Sequence, residues 1–141
     1  MKNLRIVLVN VGRRAQVPQS ISPPLGIMYL GAYLRSKFQV SVRIIDQLLD
    51  NSTNQRLVKT IADCNPDVVG LSAMIPTAHN LPDLTRLLHA ALPRALVVLG
   101  GGYVTSFAEK ALHKTAAHAA VPGEGERPFE EIIRARFDGD G

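Results

Sequence analysis

Four runs of this chain are apolar with little polar alternation, and a fifth alternates before it ends in an acid. The first, Leu4-Arg5-Ile6-Val7-Leu8-Val9-Asn10, is rich in β-branched residues and predicts a buried strand. The turn pair Asn65-Pro66 opens the central run, Asp67-Val68-Val69-Gly70-Leu71-Ser72, where the lack of alternation predicts burial on both faces. Ala95-Leu96-Val97-Val98-Leu99 is of the same kind, and His118-Ala119-Ala120-Val121 is a shorter version. Val40-Ser41-Val42-Arg43-Ile44-Ile45-Asp46 alternates at its start, as an outer strand of a parallel sheet does.

Helical periodicity fills the intervals. A helix opens from Pro24, since proline in a first turn loses no hydrogen bond. Leu25, Met28, Tyr29, Ala32 and Tyr33 form one stripe on it, and Ile27, Leu30, Gly31 and Leu34 a second. A helix apolar nearly all round is covered on both sides. The Ile27, Leu30 and Leu34 stripe is taken as the outer one, packed by a neighbouring helix or docked to a second domain, a partner or another copy of the chain. Ser52-Thr53-Asn54-Gln55 has capping-box spacing ahead of Leu57, Val58 and Ile61, and Asn80 with Pro82 begins a third helix carrying Leu81, Leu84 and Leu88 inward. Ser106-Phe107-Ala108-Glu109 is a second capping box, and Pro128 opens the last helix, with Phe129, Ile132 and Ile133 inward.

Five strands alternating with five helices predict a parallel sheet joined by right-handed crossovers. The expected architecture is a flavodoxin-like, Rossmann-like three-layer α/β sandwich with a five-stranded sheet in the order 2-1-3-4-5. Residues 1–137 form the domain, and 138–141 are a tail or the start of a linker. In such a sheet ligands bind beyond the carboxyl ends of the strands, where the exit loops 11–23, 72–77, 100–103 and 123–126 converge.

Composition narrows the chemistry. A chain of 141 residues with 46% hydrophobic content fits one domain with a core of its own. The single cysteine, Cys64, excludes an internal disulfide and any cysteine-rich zinc or iron-sulfur site built from this chain alone, which suits a reducing cytoplasm. No apolar segment has the length of a membrane span. The formal charge of +4 is scattered, and with 5% aromatic residues there is little for nucleic acid to stack on.

Two of the converging loops are glycine-rich: Gly100-Gly101-Gly102 and Gly123-Glu124-Gly125. Glycine there allows an unusual backbone angle or lets a ligand lie against the main chain, and three in a row opposite a Gly-Glu-Gly turn favour a bulky ligand. Three familiar ligand loops do not fit. A dinucleotide site needs Gly-x-Gly-x-x-Gly after the first strand, where Val11-Gly12-Arg13-Arg14-Ala15-Gln16 stands. A flavodoxin phosphate loop needs hydroxyls that are absent before Ser20, and a phosphorelay receiver needs carboxylates where Asn10 and Ser72 stand. His79 near the mouth reads as a solvated or capping group, His89, His113 and His118 have no metal spacing, and Asp46 reads as a loop-stabilising acid.

Ser22-Pro23-Pro24-Leu25-Gly26-Ile27-Met28-Tyr29-Leu30-Gly31-Ala32-Tyr33-Leu34, with Val69-Gly70-Leu71-Ser72-Ala73-Met74, Leu99-Gly100-Gly101-Gly102 and Gly123-Glu124-Gly125-Glu126, resembles the amino-terminal cobalamin-binding domain of cobalamin-dependent radical S-adenosylmethionine enzymes. The resemblance implies cobalamin as cofactor, its nucleotide tail inserted between the sheet and the flanking loops. It places Ser72, Ala73, Met74 and Ile75 at the benzimidazole end, with Met74 where a leucine usually follows the serine. It places Gly100 and Gly101 as the glycine pair that lets the tail pass, with Gly102, Tyr103, Gly123 and Glu124 also among the cofactor-binding residues, while Glu124 and Glu126 either contact the cofactor's amides or charge the start of the last helix.

The histidine that ligates cobalt in methionine synthase and the mutases falls at Pro23, so the resemblance implies base-off cobalamin without a protein histidine. Gly102-Tyr103 replaces a Pro-His pair common in the radical branch. The catalytic cluster of those enzymes needs three closely spaced cysteines, so this chain is not expected to catalyse alone. The implied partner is a radical S-adenosylmethionine catalytic domain, in the same or another chain, that carries out methyl transfer. The contrasting expectation is a flavodoxin-like interaction domain that binds no cofactor and docks a partner.

Overall fold

The computed structural model of the chain describes residues 3–17 and 24–138. Pro23, the residue at the histidine position, and the expected tail from 139 onward lie outside the described residues. The five strands are β1 (Leu4–Asn10), β2 (Val40–Asp46), β3 (Val68–Ser72), β4 (Leu96–Gly100) and β5 (Ala119–Ala120). They pair in parallel in the order β2-β1-β3-β4-β5, as the alternation of strand and helix requires. β2, the one with polar alternation, is an edge strand, and β1, β3 and β4 are buried on both faces.

The helices are α1 (Leu25–Lys37), α2 (Gln47–Asp50), α3 (Asn54–Asp63), α4 (Leu81–Ala91), α5 (Gly102–Lys114) and α6 (Glu126–Ile133). They divide the core in two. Val7, Val9, Val69, Leu71, Val97 and Leu99 face α3, α4 and α5. Leu4, Ile6, Leu8, Val68, Val98 and Leu96 face α1 and α6, whose inward residues include Ile27, Leu34, Phe129 and Ile133. The split follows strand parity: successive side chains point to opposite faces, so odd positions of β1, β3 and β4 meet one helical layer and even positions the other.

The structure corrects the assignment of the α1 stripes. Ile27 and Leu34 are 7% and 0% exposed and sit under the helix against the sheet, and half-buried Leu30 packs with them. This stripe is therefore not available to a second domain, a partner or another copy. The other stripe is the outer one: Leu25, Met28 and Tyr29 are 54%, 43% and 66% exposed. The reason is steric, because Gly31 lies on the Ile27 side and lets α1 approach β2, where a methyl at that position would already be 3.2 Å from Val42 Cγ1.

Four helix starts also differ, and the simplest is α6, which begins at Glu126 rather than at Pro128. Thr53, not Ser52, caps α3, its hydroxyl accepting from Arg56 N–H at 3.2 Å, while the Ser52 carbonyl accepts from the Gln47 amide at 3.0 Å. Asn80 does not cap α4; a 3-10 turn (Ile75–Asn80) runs directly into that helix, and the Asn80 amide bonds Gln16 and the Thr77 carbonyl instead. α5 begins at Gly102 rather than at Ser106, and the expected box lies beside a break at Phe107 (φ −137, ψ 42). The short helix α2 was not signalled by periodicity; Asp46 caps it by accepting from Leu49 N–H. No helix among the described residues is long and apolar enough to cross a membrane.

Truncating the inner stripe should be costly and truncating the outer one should not. Leu34→Ala is expected to lower unfolding free energy by about 2–5 kcal/mol, and Tyr29→Ala to stay within about 0.5 kcal/mol of the parent, by urea denaturation. Equal losses at the two positions would contradict the orientation of α1.

Candidate functional site

At the carboxyl edge the two faces of the sheet differ in side-chain volume. On the α3–α5 face the strands end with Leu71 and Leu99, both buried. On the α1–α6 face the register aligns Leu8 with Gly70 and Val98, and in the next row Asn10 with Ser72 and Gly100. The centre of this surface thus carries a glycine, a serine and a glycine where the opposite face carries leucines. A cavity of about 380 Å³ opens over it, roofed by Ile27 and Leu30 of α1 and Phe129 of α6 and reaching the exit loops at Gly101 and Glu124. Its volume lies within the range of about 300–1,000 Å³ usual for small-molecule sites.

The glycines are there for different reasons. A Cβ on Gly101 would lie 2.6 Å from the Ala73 carbonyl oxygen and 2.8 Å from Ser72 Oγ, and its φ of +95 belongs to the region glycine favours. Gly101 is therefore needed by the fold itself, to bring the exits of β3 and β4 together. A Cβ on Gly100, by contrast, would meet nothing closer than the Val121 carbonyl oxygen at 3.9 Å. The protein's own packing does not require a bare backbone at Gly100, yet that position faces the cavity. A side chain there would use space that the fold leaves open, which is the fit expected of a cradle for a bulky group lying on the main chain.

Ser72 supplies the hydroxyl. It lines the cavity and has no hydrogen-bond partner among the described residues. The backbone around it is already committed: Ala73 N–H donates to the Gly100 carbonyl at 3.1 Å, and Tyr103 N–H to the Ala73 carbonyl at 3.1 Å. Thr105 ties two exit loops together, its hydroxyl donating to the Gly101 carbonyl at 3.1 Å and accepting from Gly123 N–H at 3.0 Å.

Of the predicted site residues, Ser72, Gly100, Gly101, Gly123 and Glu124 are brought together around the cavity. Ala73 is buried on the far side, Met74 and Ile75 are exposed on the rim, and Gly102 and Tyr103 form the first turn of α5, with the Tyr103 ring 5.4 Å from that of Phe107. Leu8, Gly70, Val98, Phe129 and Thr105 were missed. Gly70 carried the clearest signal, a glycine inside an otherwise β-branched strand. Its Cβ would lie 2.8 Å from Leu8 Cδ2 and 3.3 Å from Phe129 Cε2.

The remaining groups hold the surroundings. Gln47, fully buried, accepts from Gly12 N–H at 2.7 Å and donates to Asn54, and Asn80 donates to Gln16 at 2.9 Å, so the β1 exit is fastened to α2, α3 and α4. Asp46 accepts from the Asn10 amide at 3.0 Å, the loop-stabilising role expected of it. His79 is the histidine nearest the carboxyl edge, and its ring nitrogen is 3.0 Å from the Gln16 amide. His89 and His113 lie in the last turns of α4 and α5, toward the opposite edge, and His118 accepts from Val97 N–H at 2.9 Å. Beside the cavity, α1 and α6 are clasped by the Tyr33 hydroxyl donating to Glu130, which also pairs with Arg134 at 2.9 Å. That hydroxyl and Arg134 hold the Glu130 carboxyl below its usual range, and the same bond raises the Tyr33 phenol.

Comparison with known proteins gives a consistent picture. A model of the B12 binding domain family matches residues 14–133. The chain is 29% identical over 143 residues to an uncharacterized methyltransferase of Pyrococcus horikoshii, covering 99% of this chain and 31% of that protein. It is 25% identical over 114 residues to the anaerobic magnesium-protoporphyrin IX monomethyl ester cyclase of Cereibacter sphaeroides, covering 80% of this chain and 19% of that one. Among solved structures it superposes on the cobalamin-dependent S-adenosylmethionine radical enzyme OxsB with aqua-cobalamin and S-adenosylmethionine bound, with a TM-score of 0.77 at 20% identity over 94% of this chain and 18% of that one. Against apo OxsB the TM-score is 0.66. The chain thus spans less than a third of the length of these proteins.

The different duties of the two glycines can be separated by stability. Gly101→Ala is expected to cost more than about 1 kcal/mol and Gly100→Ala to stay within about 0.5 kcal/mol of the parent in urea; the reverse order would contradict the geometry. The clasp predicts a pH effect. A depressed carboxyl contributes stability above its ordinary value of 4.5 and loses it as pH falls through the lower folded value, whereas the raised phenol contributes below its ordinary value of 10.0. The urea-midpoint difference between the parent and Glu130→Gln should therefore shrink as pH is lowered from neutrality through and below 4.5. A difference that stays constant would count against the clasp.

Proposed function

The chain belongs to the B12 binding domain family and its cofactor is cobalamin; on that premise we propose that it holds the cofactor base-off, without a protein histidine on cobalt, for a radical S-adenosylmethionine catalytic domain that transfers methyl groups. The observation that carries this is the gap over Ser72 and Gly100, bare at Gly100 where the fold does not need it to be. Bound cobalamin supplies a cobalt centre able to carry a methyl group. The protein's own residues do the holding. Gly100 and Gly101 let the nucleotide tail lie against the backbone, and the Ser72 hydroxyl is free to donate to the one acceptor nitrogen of a displaced benzimidazole.

The histidine-free state is supported by where the imidazoles sit. His79 is engaged by Gln16, and the other three histidines of the sequence lie away from the carboxyl edge. On this reading residues 1–137 are the binding unit, with Met74, Ile75, Gly102 and Tyr103 on the rim that the corrin would overlie. The catalytic part is supported by relatives three to five times longer than this chain, one of them named as a methyltransferase. It predicts a module with three closely spaced cysteines encoded in the same or an adjoining reading frame.

Mixing with hydroxocobalamin followed by gel filtration tests the proposal. The expected result is co-elution with a base-off absorbance spectrum, unchanged by His79→Ala and lost in Gly100→Val while circular dichroism stays native. Clean separation of protein and corrinoid would favour a flavodoxin-like domain that only docks a partner.

A further inference from the structure

The cavity is chemically one-sided. Its sheet wall is Leu8, Gly70 and Val98, and its helical wall is Ile27, Leu30 and Phe129. Among the described lining residues the only polar side chains are Ser72 on the sheet, exposed Glu124 in the exit loop of β5 and half-buried Glu126 at the start of α6, so the two carboxylates stand at the end of the cavity where the exit loops meet. Part of the lining backbone is already engaged. The Gly101 carbonyl accepts from both Thr105 N–H and its hydroxyl, the Leu99 carbonyl from Val121 N–H, the Gly125 carbonyl from Phe129 N–H, and Gly123 N–H is donated to Thr105. Among the described residues, the side chains between the sheet wall and the helical wall therefore offer one hydroxyl to a ligand and otherwise carbon.

From this match of inventory we infer that the cavity selects the base of the corrinoid tail, accepting benzimidazoles and rejecting purines; the inference rests on the cobalamin reading above. A 5,6-dimethylbenzimidazole brings two methyl groups, a fused apolar ring and, once off cobalt, a single acceptor nitrogen. One hydroxyl satisfies that nitrogen, and apolar walls on both sides take the rest. An adenine base of similar outline brings an exocyclic amine with two donors and additional ring acceptors. Ser72 can meet one of these, and the others would be buried against Leu8, Val98 and Phe129 without partners. Each buried polar group left unpaired is penalised enough to change an affinity about ten-fold. Discrimination thus comes from what the walls lack rather than from a clash, which is why a base of nearly the same size is rejected.

Titration of the full chain with three corrinoids tests the inference: cobalamin, its adenine-tailed counterpart pseudocobalamin, and cobinamide, which has no nucleotide tail, each measured by calorimetry and by corrinoid retained after gel filtration. Cobalamin is expected to bind at least about ten-fold more tightly than pseudocobalamin, with pseudocobalamin close to cobinamide. Equal binding of the benzimidazole and adenine forms overturns the selectivity and leaves the cobalamin reading intact. Cobinamide binding as tightly as cobalamin also overturns it, since the tail would then lie outside the cavity. Failure to bind all three overturns the cobalamin reading and this inference with it.

Discussion

Strand alternation is the constraint on which this structure depends. A strand buried on both faces must satisfy two helical layers with alternate residues, so space can be opened on one face only by shrinking every second side chain. β3 and β4 do this at their carboxyl ends. On the α1–α6 face Gly70 makes room for Leu8 and Phe129, and Ser72 and Gly100 leave the surface beyond them open, while Val69, Leu71, Val97 and Leu99 pack the other face fully. The sheet ladder pairs the backbone of these strands whatever their side chains, and of Gly70, Ser72 and Gly100 only Ser72 brings a side-chain polar group, its hydroxyl without a partner among the described residues.

An opening of this kind lasts only if its cover is held off the floor. α1 rests on the sheet through Ile27, Gly31 and Leu34, and α6 through Phe129 and Ile133, and the Tyr33–Glu130 bond joins the two helices beside the cavity. Thr105 connects the loops after β4 and β5, and the amides of Gln16, Gln47 and Asn80 anchor the loop after β1. The polar side chains thus work mostly on the frame, and apolar ones line the space. This division lets one surface bind a large, partly apolar group while no fully buried side-chain donor or acceptor is left unpaired among the described residues.

Strand positions, their parallel order and the edge that carries the site were legible from runs of β-branched residues punctuated by Asn65-Pro66 and the glycine loops. The glycine and serine residues flanking the cavity were legible too, because small residues at the end of a buried strand have few packing reasons to be there. Facing was not legible. A helix with two apolar stripes does not say which one meets the sheet, and that choice turned on the fit of Gly31 against Val42. The roof residue Phe129 and the tie Thr105 were invisible for a related reason: each looks like an ordinary helix residue until the register brings it across from Gly70 or Gly123. The expected cap of α4 was lost because the Asn80 amide is engaged by Gln16 and the Thr77 carbonyl.

A crystal structure of the chain grown with cobalamin tests the central claim most directly. The account predicts density for the nucleotide tail between the β3–β4 surface and α6, lying over Gly100 with its ring nitrogen within hydrogen-bond distance of Ser72 Oγ. A structure in which the protein's own side chains close over Ser72 and Gly100, with the corrinoid bound elsewhere on the surface, would contradict it.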